Sequence, residues 1–186
     1  MSNGTSWIVN RVVKDFETFG GLIMNTVYGG MNPRAVKTAL YYGTGAKYVS
    51  FGAHSTYFQA AREGHLVDGV FIPLSELYPD FKTQELDRCI RIPLEDDPDP
   101  ALDEILRLIA DHPLVYLNTG HISVPEALRL IELAGLYGIK KVLVASSVTK
   151  IATMTELRFM AESGAFIEYT LAAYTHTTPI PKTHYY

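Results

Sequence analysis

Cysteine is nearly absent from this chain. Cys89 is the only one in 186 residues, so neither an intrachain disulfide nor a cysteine-rich zinc cluster is available. An excess of positive charge is also absent: 16 Lys and Arg stand against 20 Asp and Glu, a net charge of −4. That balance leaves no basic footprint, and nucleic acid is not expected as a partner. No apolar run approaches membrane-spanning length, and no signal-peptide pattern precedes the first helix-like segment. A membrane partner is therefore not expected, and a cytoplasmic location is. Three chemical signatures are missing too. Without G-x-G-x-x-G or G-x-x-x-x-G-K-[ST], nucleotide-binding doubly wound folds lose their usual signal. Without a G-x-S-x-G elbow, an α/β-hydrolase is disfavoured.

What is present is a hydrophobic fraction of 47%, enough for a real core and against disorder. The length fits a single domain over residues 1–186. Its organising stretch is residues 114–127, which reads as strand, tight turn, helix. Leu114 to Leu117 is an apolar run of strand length, and Gly120 permits a sharp turn. Ser123 and Glu126 have capping-box spacing, and Leu128, Leu130, Ile131 and Leu133 continue as a helical apolar set. His121 thus falls just beyond the C-terminal end of a buried strand, on the rim where parallel α/β folds place chemistry. A histidine there is either a chemical group or one that merely ties the loop.

The rest of the chain repeats that rhythm. Residues 6–16 carry Trp7, Ile8, Val12, Val13 and Phe16 at helix spacing. Residues 19–24 read as a strand, in which Gly20 and Gly21 imply close approach of another backbone. Asn32-Pro33 opens a helix, with Asn as N-cap and Pro at the first position. Residues 47–51 form a second strand, ending at Gly52-Ala53-His54. Helices are expected over 101–110, from Ser123 to Tyr137 and over 152–162, and further strands at 114–118, 141–145 and 165–169. The expected fold is α/β: parallel βα repeats in a partial, TIM-barrel-like arrangement of about five strands. An insertion at about 55–97 breaks the rhythm. Within it, residues 66–74 and 88–94 read as short strands, a hairpin over the rim. The acidic run Asp96-Asp97-Pro98-Asp99-Pro100 reads as the charged start of the next helix rather than a metal cluster. The tail from Thr175 reads as extended loop.

Several stretches together resemble an uncharacterised amidohydrolase-like family of metal-dependent hydrolases with a (β/α)8 barrel. They are Phe19-Gly20-Gly21-Leu22-Ile23-Met24-Asn25, Gly29-Gly30-Met31-Asn32-Pro33, Thr119-Gly120-His121-Ile122-Ser123 and Gly164-Ala165-Phe166-Ile167-Glu168. The resemblance covers most of residues 6–182. In that family the first strand ends in a His-x-His metal pair, which this chain lacks. Its sequence corresponds to a start after the first two strands. Where the family has Thr-His-Pro, this chain reads Ala145-Ser146-Ser147. The aspartate of the family's last strand would fall beyond Tyr186.

The resemblance implies a divalent metal, zinc or manganese, with His54 and His121 as its candidate ligands. His121 is the candidate catalytic base, and Asn25, Asn118 and Thr119 would line a pocket for a small-molecule substrate. Two histidines are few for such a site, so a truncated or divergent hydrolase with weak metal binding and weak activity is expected. The alternative is a non-catalytic, barrel-derived protein that binds a small molecule or another subunit, with Thr119, Ser146 and Ser147 as hydrogen-bond donors. His65, His112, His176 and His184 are assigned structural or solvent roles. His54, His121 and Ser146 should share one end of the sheet. Five strands leave two unpaired edges, which predicts a homo-oligomer.

Overall fold

The structure, a computed structural model, describes residues 2–170. Helix α1 (Asn3–Val12) leads into strand β1 (Gly20–Met24). Helix α2 (Pro33–Tyr41) and strand β2 (Ala46–Phe51) follow. The insertion holds the short helix α3 (Tyr57–Ala60), strands β3 (Gly64–Val67) and β4 (Val70–Pro73), and helices α4 (Leu74–Leu77) and α5 (Phe81–Gln84). The βα alternation then resumes with α6 (Pro100–Ala110), β5 (Tyr116–Asn118), α7 (Val124–Leu136) and β6 (Val142–Val144). It ends with α8 (Ser146–Thr149), α9 (Met154–Glu162) and β7 (Phe166–Ile167). The main sheet is β1-β2-β5-β6-β7, all parallel and in chain order. That is the strand order of consecutive units in a βα barrel, so the fold is α/β and partial-barrel-like.

Helices begin where local chemistry supplies caps. The Asn32 side chain accepts from Arg34 N and Ala35 N, with Pro33 at the first position. Asp99 accepts from Leu102 N at 2.8 Å, so the acidic run does start a helix. Ser123 with Glu126, and Thr153 with Glu156, form complete capping boxes. These caps satisfy backbone donors that the helices leave orphaned.

Among the described residues the helices that complete the core cover one face of the sheet. Leu22, Met24, Val49, Phe51, Leu117, Val142 and Val144 point into a core completed by Val36 and Leu40 of α2, Leu102, Ile105, Leu106 and Ile109 of α6, Ala127, Leu130 and Ala134 of α7, and Leu157 and Met160 of α9. On the other face Ile23, Tyr116 and Phe166 are exposed. There the Tyr116 and Phe166 rings meet edge to face at 6.3 Å. Gly21 lies under the Tyr48 ring: a Cβ at 21 would fall 2.2 Å from it. Gly20 admits the backbone of Asn3, which would stand 2.6 Å from a Cβ there.

Three expectations need correction. Residues 66–74 are not one strand. The chain folds back at Asp68-Gly69, both at positive φ (52° and 81°), so that β3 pairs antiparallel with β4; two positive φ values in a two-residue loop match the right-handed strand twist. Residues 88–94 form no named strand: a lone bridge joins Thr56 to Ile90, while Ile90 and Ile92 sink into the core. The first helix spans Asn3–Val12, and its apolar residues do not face the core. Trp7, Ile8 and Val12 are exposed and Asn3 and Ser6 are buried, because only a small or polar side can lie against Gly20 while Asn3 Nδ2 donates to Ala39 O at 2.5 Å. Among the described residues no helix is long and apolar enough to cross a membrane. The tail from Thr175, with His176 and His184, lies outside the described residues.

Candidate functional site

The C-terminal ends of the parallel strands form a rim tied together by side chains. Asn25, after β1, accepts from Ala53 N at 2.9 Å, after β2. Asn118, at the end of β5, accepts from Gly120 N at 2.7 Å and from Ser50 Oγ of β2 at 3.2 Å. Thr119 is fully buried and accepts from Ala145 N at 2.9 Å, after β6. Ser147 donates to Gly120 O at 2.9 Å. Asn25, Thr119 and Ser147 thus each bond a backbone group after a neighbouring strand, and Asn118 bonds the turn after its own.

Gly120 is the point of closest approach. Its φ is +61°, and a Cβ there would stand 2.0 Å from Phe51 O. This turn delivers His121, whose N–H donates to Gly52 O at 3.0 Å and whose carbonyl accepts from Thr56 Oγ1 at 2.5 Å. The imidazole is thereby fixed against the end of β2, next to His54. The two rings stand 6.3 Å apart, centroid to centroid.

A cavity of about 580 Å³ opens beside them. His54, His121, Ser146 and Ser147 line it, as do Glu63 and His65 from the insertion and Lys150 after α8. The β3–β4 hairpin forms a wall through Gly64, His65 and Phe71. His54, His121 and Ser146 therefore do share one end of the sheet. Asn25, Asn118 and Thr119 are not among the lining residues; they hold the rim from beneath. Ser146 also accepts from Thr170 Oγ1 at 2.8 Å.

The two histidines are in different states. His54 is exposed, and its Nδ1 bonds Oε1 of Glu63. With Glu63 ionised, that bond keeps the proton on Nδ1 and leaves Nε2 as the basic nitrogen. His121 is largely buried; its Nδ1 is buried with no hydrogen-bond partner among the described residues. Burial pushes its pKa below the usual 6.5, and His54 and Lys150 push it the same way, against a smaller opposite pull from Glu63 and Glu168. His121 is thus a neutral imidazole at neutral pH in a residue that lines the cavity, with its buried Nδ1 unsatisfied among the described residues. A group left in that condition is a functional candidate on physical grounds.

Sequence reading passed over Glu63, Arg62 and Lys150, and assigned His65 a bland role. The missing signal was the Asp68-Gly69 turn. Once that turn folds β3 onto β4, His65 and Glu63 belong to the cavity. His112 lies elsewhere, with Nδ1 against Leu108 O at 2.7 Å and its ring against Tyr41.

His54 and His121 offer two nitrogen ligands to a metal such as zinc or manganese, and the orphaned Nδ1 of His121 suits one. A catalytic zinc takes, as a rule, three protein ligands. Among the described residues no group of three His, Cys, Asp or Glu is placed to hold an ion. The donor set there does not fit a complete catalytic metal site. Comparison with curated proteins and with solved structures gave no match in either case. The model of a family of unknown function, DUF6282, matches residues 1–168, and the chain belongs to that family.

Proposed function

We propose that the rim cavity is the site of a weak, amidohydrolase-like hydrolase acting on a small ester or amide, with His121 as its base. The observation that carries this reading is an imidazole that lines the cavity with its Nδ1 unpartnered among the described residues, beside a second imidazole oriented by a carboxylate. His121 takes a proton from the attacking water. The imidazolium of His121 then returns that proton to the leaving group, and His54, its Nδ1–H held by Glu63, stands beside it. General acid–base catalysis of this kind contributes about 10²–10⁴-fold, against about 10⁶-fold or more for typical enzymes. Weak activity is the magnitude that follows.

The non-catalytic alternative is favoured by one observation: Asn25, Asn118, Thr119 and Ser147 all have rim partners, so little of the polar machinery is devoted to a reacting centre. Hydrolysis of 4-nitrophenyl acetate decides between them, measured on the wild-type chain, His121→Ala and His54→Ala, each first checked for native circular dichroism. Slow turnover that falls about tenfold or more in His121→Ala is expected. Turnover unchanged in a folded His121→Ala refutes the hydrolase reading. Metal content, with and without added zinc or manganese, is measured on the same samples. A stoichiometric ion lost in His121→Ala would replace the acid–base route with a metal-assisted one.

A further inference from the structure

Helix α1 is turned inside out, and its bonds hold it that way. Its inward side is polar. Asn3 donates to Ala39 O, and Asn10 both donates to Thr18 O at 2.8 Å and accepts from Thr18 N at 2.7 Å. Ser6 O accepts from Thr18 Oγ1 at 3.2 Å. Ser2 closes on Gly21, its N–H donating to Gly21 O at 3.1 Å and its Oγ accepting from Gly21 N at 3.0 Å. Rolling the helix to bury its apolar side would break these bonds. Outward, Ile8 and Val12 stack at i, i+4 spacing with Trp7 beside them, and Val12 is 71% exposed. Val13, Phe16 and Phe19, also exposed, follow in the segment that Thr18 ties to the helix.

Together these six side chains expose on the order of 500 Å², at about 200 Å² for a whole aromatic side chain and about 100 Å² for an aliphatic one. The largest apolar patch on a typical monomer is about 300–600 Å², and such a patch is often functional. Charge narrows the partner. On the same stretch Arg11 and Lys14 balance Asp15 and Glu17, and the Arg11 guanidinium already stacks on the Trp7 ring, 3.9 Å from its centroid. A neutral patch has no pull on an anionic membrane or on nucleic acid. It can meet its own copy without repulsion.

We propose that α1 pairs with α1 of a second copy about a two-fold axis, Ile8 and Val12 of each helix packing against those of the other. An isologous contact uses one self-complementary patch twice. It would bury about 1,000 Å² in total, where stable interfaces begin. Helix α1 meets β1 at Gly20 and Gly21, the end of the strand away from the rim, so the pairing stands apart from any reading of the cavity.

Trp7 is the only tryptophan in the chain, so its emission reports on this surface and no other. The full chain is diluted from tens of micromolar to tens of nanomolar, with sedimentation run alongside. Trp7 emission should shift to the red as the dimer dissociates, with the midpoint that sedimentation gives. Ile8→Asp and, separately, Val12→Asp should move that midpoint to about tenfold higher concentration or more, because each puts a carboxylate into the contact. Both side chains are exposed in the single chain, circular dichroism checks that each variant folds, and two are made so that one failing to fold leaves the other. Emission that does not change with concentration would overturn the inference, including the case in which sedimentation shows copies held together by the sheet face. A midpoint unmoved in both folded variants would overturn it too. So would a wild-type monomer that floats with phosphatidylcholine vesicles and ceases to do so in Val12→Asp, which would give the surface to lipid.

Discussion

Replacing Gly120 with alanine tests how the site is built. The residue sits at φ +61° with Phe51 O 2.0 Å and Gly52 O 2.7 Å from where a Cβ would be. The left-handed conformation alone costs an alanine about 1–2 kcal/mol. The contact adds more, because the obstructing atoms are backbone oxygens of β2 and the residue after it and cannot rotate away. Relief requires the turn to move outward, which breaks the His121 N–H bond to Gly52 O, 3.0 Å in the native chain. Overpacking of this kind costs about 1–3 kcal/mol, and the lost hydrogen bond about 0.5–1.5 kcal/mol. Gly120→Ala should therefore destabilise by about 3–5 kcal/mol. Gly138→Ala is the control. Gly138 also has positive φ, +78°, but nothing lies within 4 Å of its would-be Cβ. It should cost only the conformational share, about 1–2 kcal/mol. The reduced freedom of the unfolded chain acts on both variants alike and cancels in the difference. Urea denaturation followed by circular dichroism measures both. Equal losses, within about 0.5 kcal/mol, would refute the claim that β2 closes over this turn.

Two further outcomes are expected. His121 has a folded-state pKa below its unfolded value of 6.5, so between those two values the unfolded chain binds more protons and stability falls as pH falls. The loss begins as pH drops through about 6.5 and levels off below the folded-state pKa; a urea midpoint series should show this fall, and His121→Gln should flatten it, whereas an unchanged slope in the variant would place the proton uptake elsewhere. The apolar sheet face and the edges of β1 and β7, which pair with no further strand among the described residues, should drive self-association: sedimentation at tens of micromolar should show dimers or larger species, and a clean monomer would mean the edges are covered within one chain.

Much of the scaffold was legible in the sequence because its signals are periodic and local. Apolar runs, N-cap residues and terminating glycines repeat often enough to reveal parallel βα units. The positions of His54, His121 and Ser146 at strand ends then place them on one rim without knowledge of any contact. Apolar spacing misled at the first helix, because spacing marks a stripe and not what the stripe faces: Gly20 accepts Asn3 and leaves Trp7 outside. Asn25, Asn118 and Thr119 were placed correctly at strand ends, but residue type cannot tell a group aimed at a ligand from one that accepts from a backbone N–H. Thr119 finds its donor at Ala145, 26 residues on. The Glu63–His54 bond spans nine residues across an irregular loop, where no helix or strand period applies. Such pairings are properties of the folded insertion, and they emerge only once the turn at Asp68-Gly69 is in place.

That hairpin has one more consequence. The rim bonds run between Asn25, Ala53, Asn118, Gly120, Thr119, Ala145 and Ser147, and none of them uses a residue of β3 or β4. The frame that aims His121 thus owes nothing to the hairpin, which supplies part of the cavity wall. Phe71 and His65 can be exchanged, or the turn lengthened at Gly69, where nothing lies within 4 Å of a would-be Cβ, without disturbing the imidazole's seat. Libraries confined to residues 64–73 should retune which molecules enter while the chemistry behind them stays put, so the hairpin is the natural handle for redirecting this scaffold to new ligands.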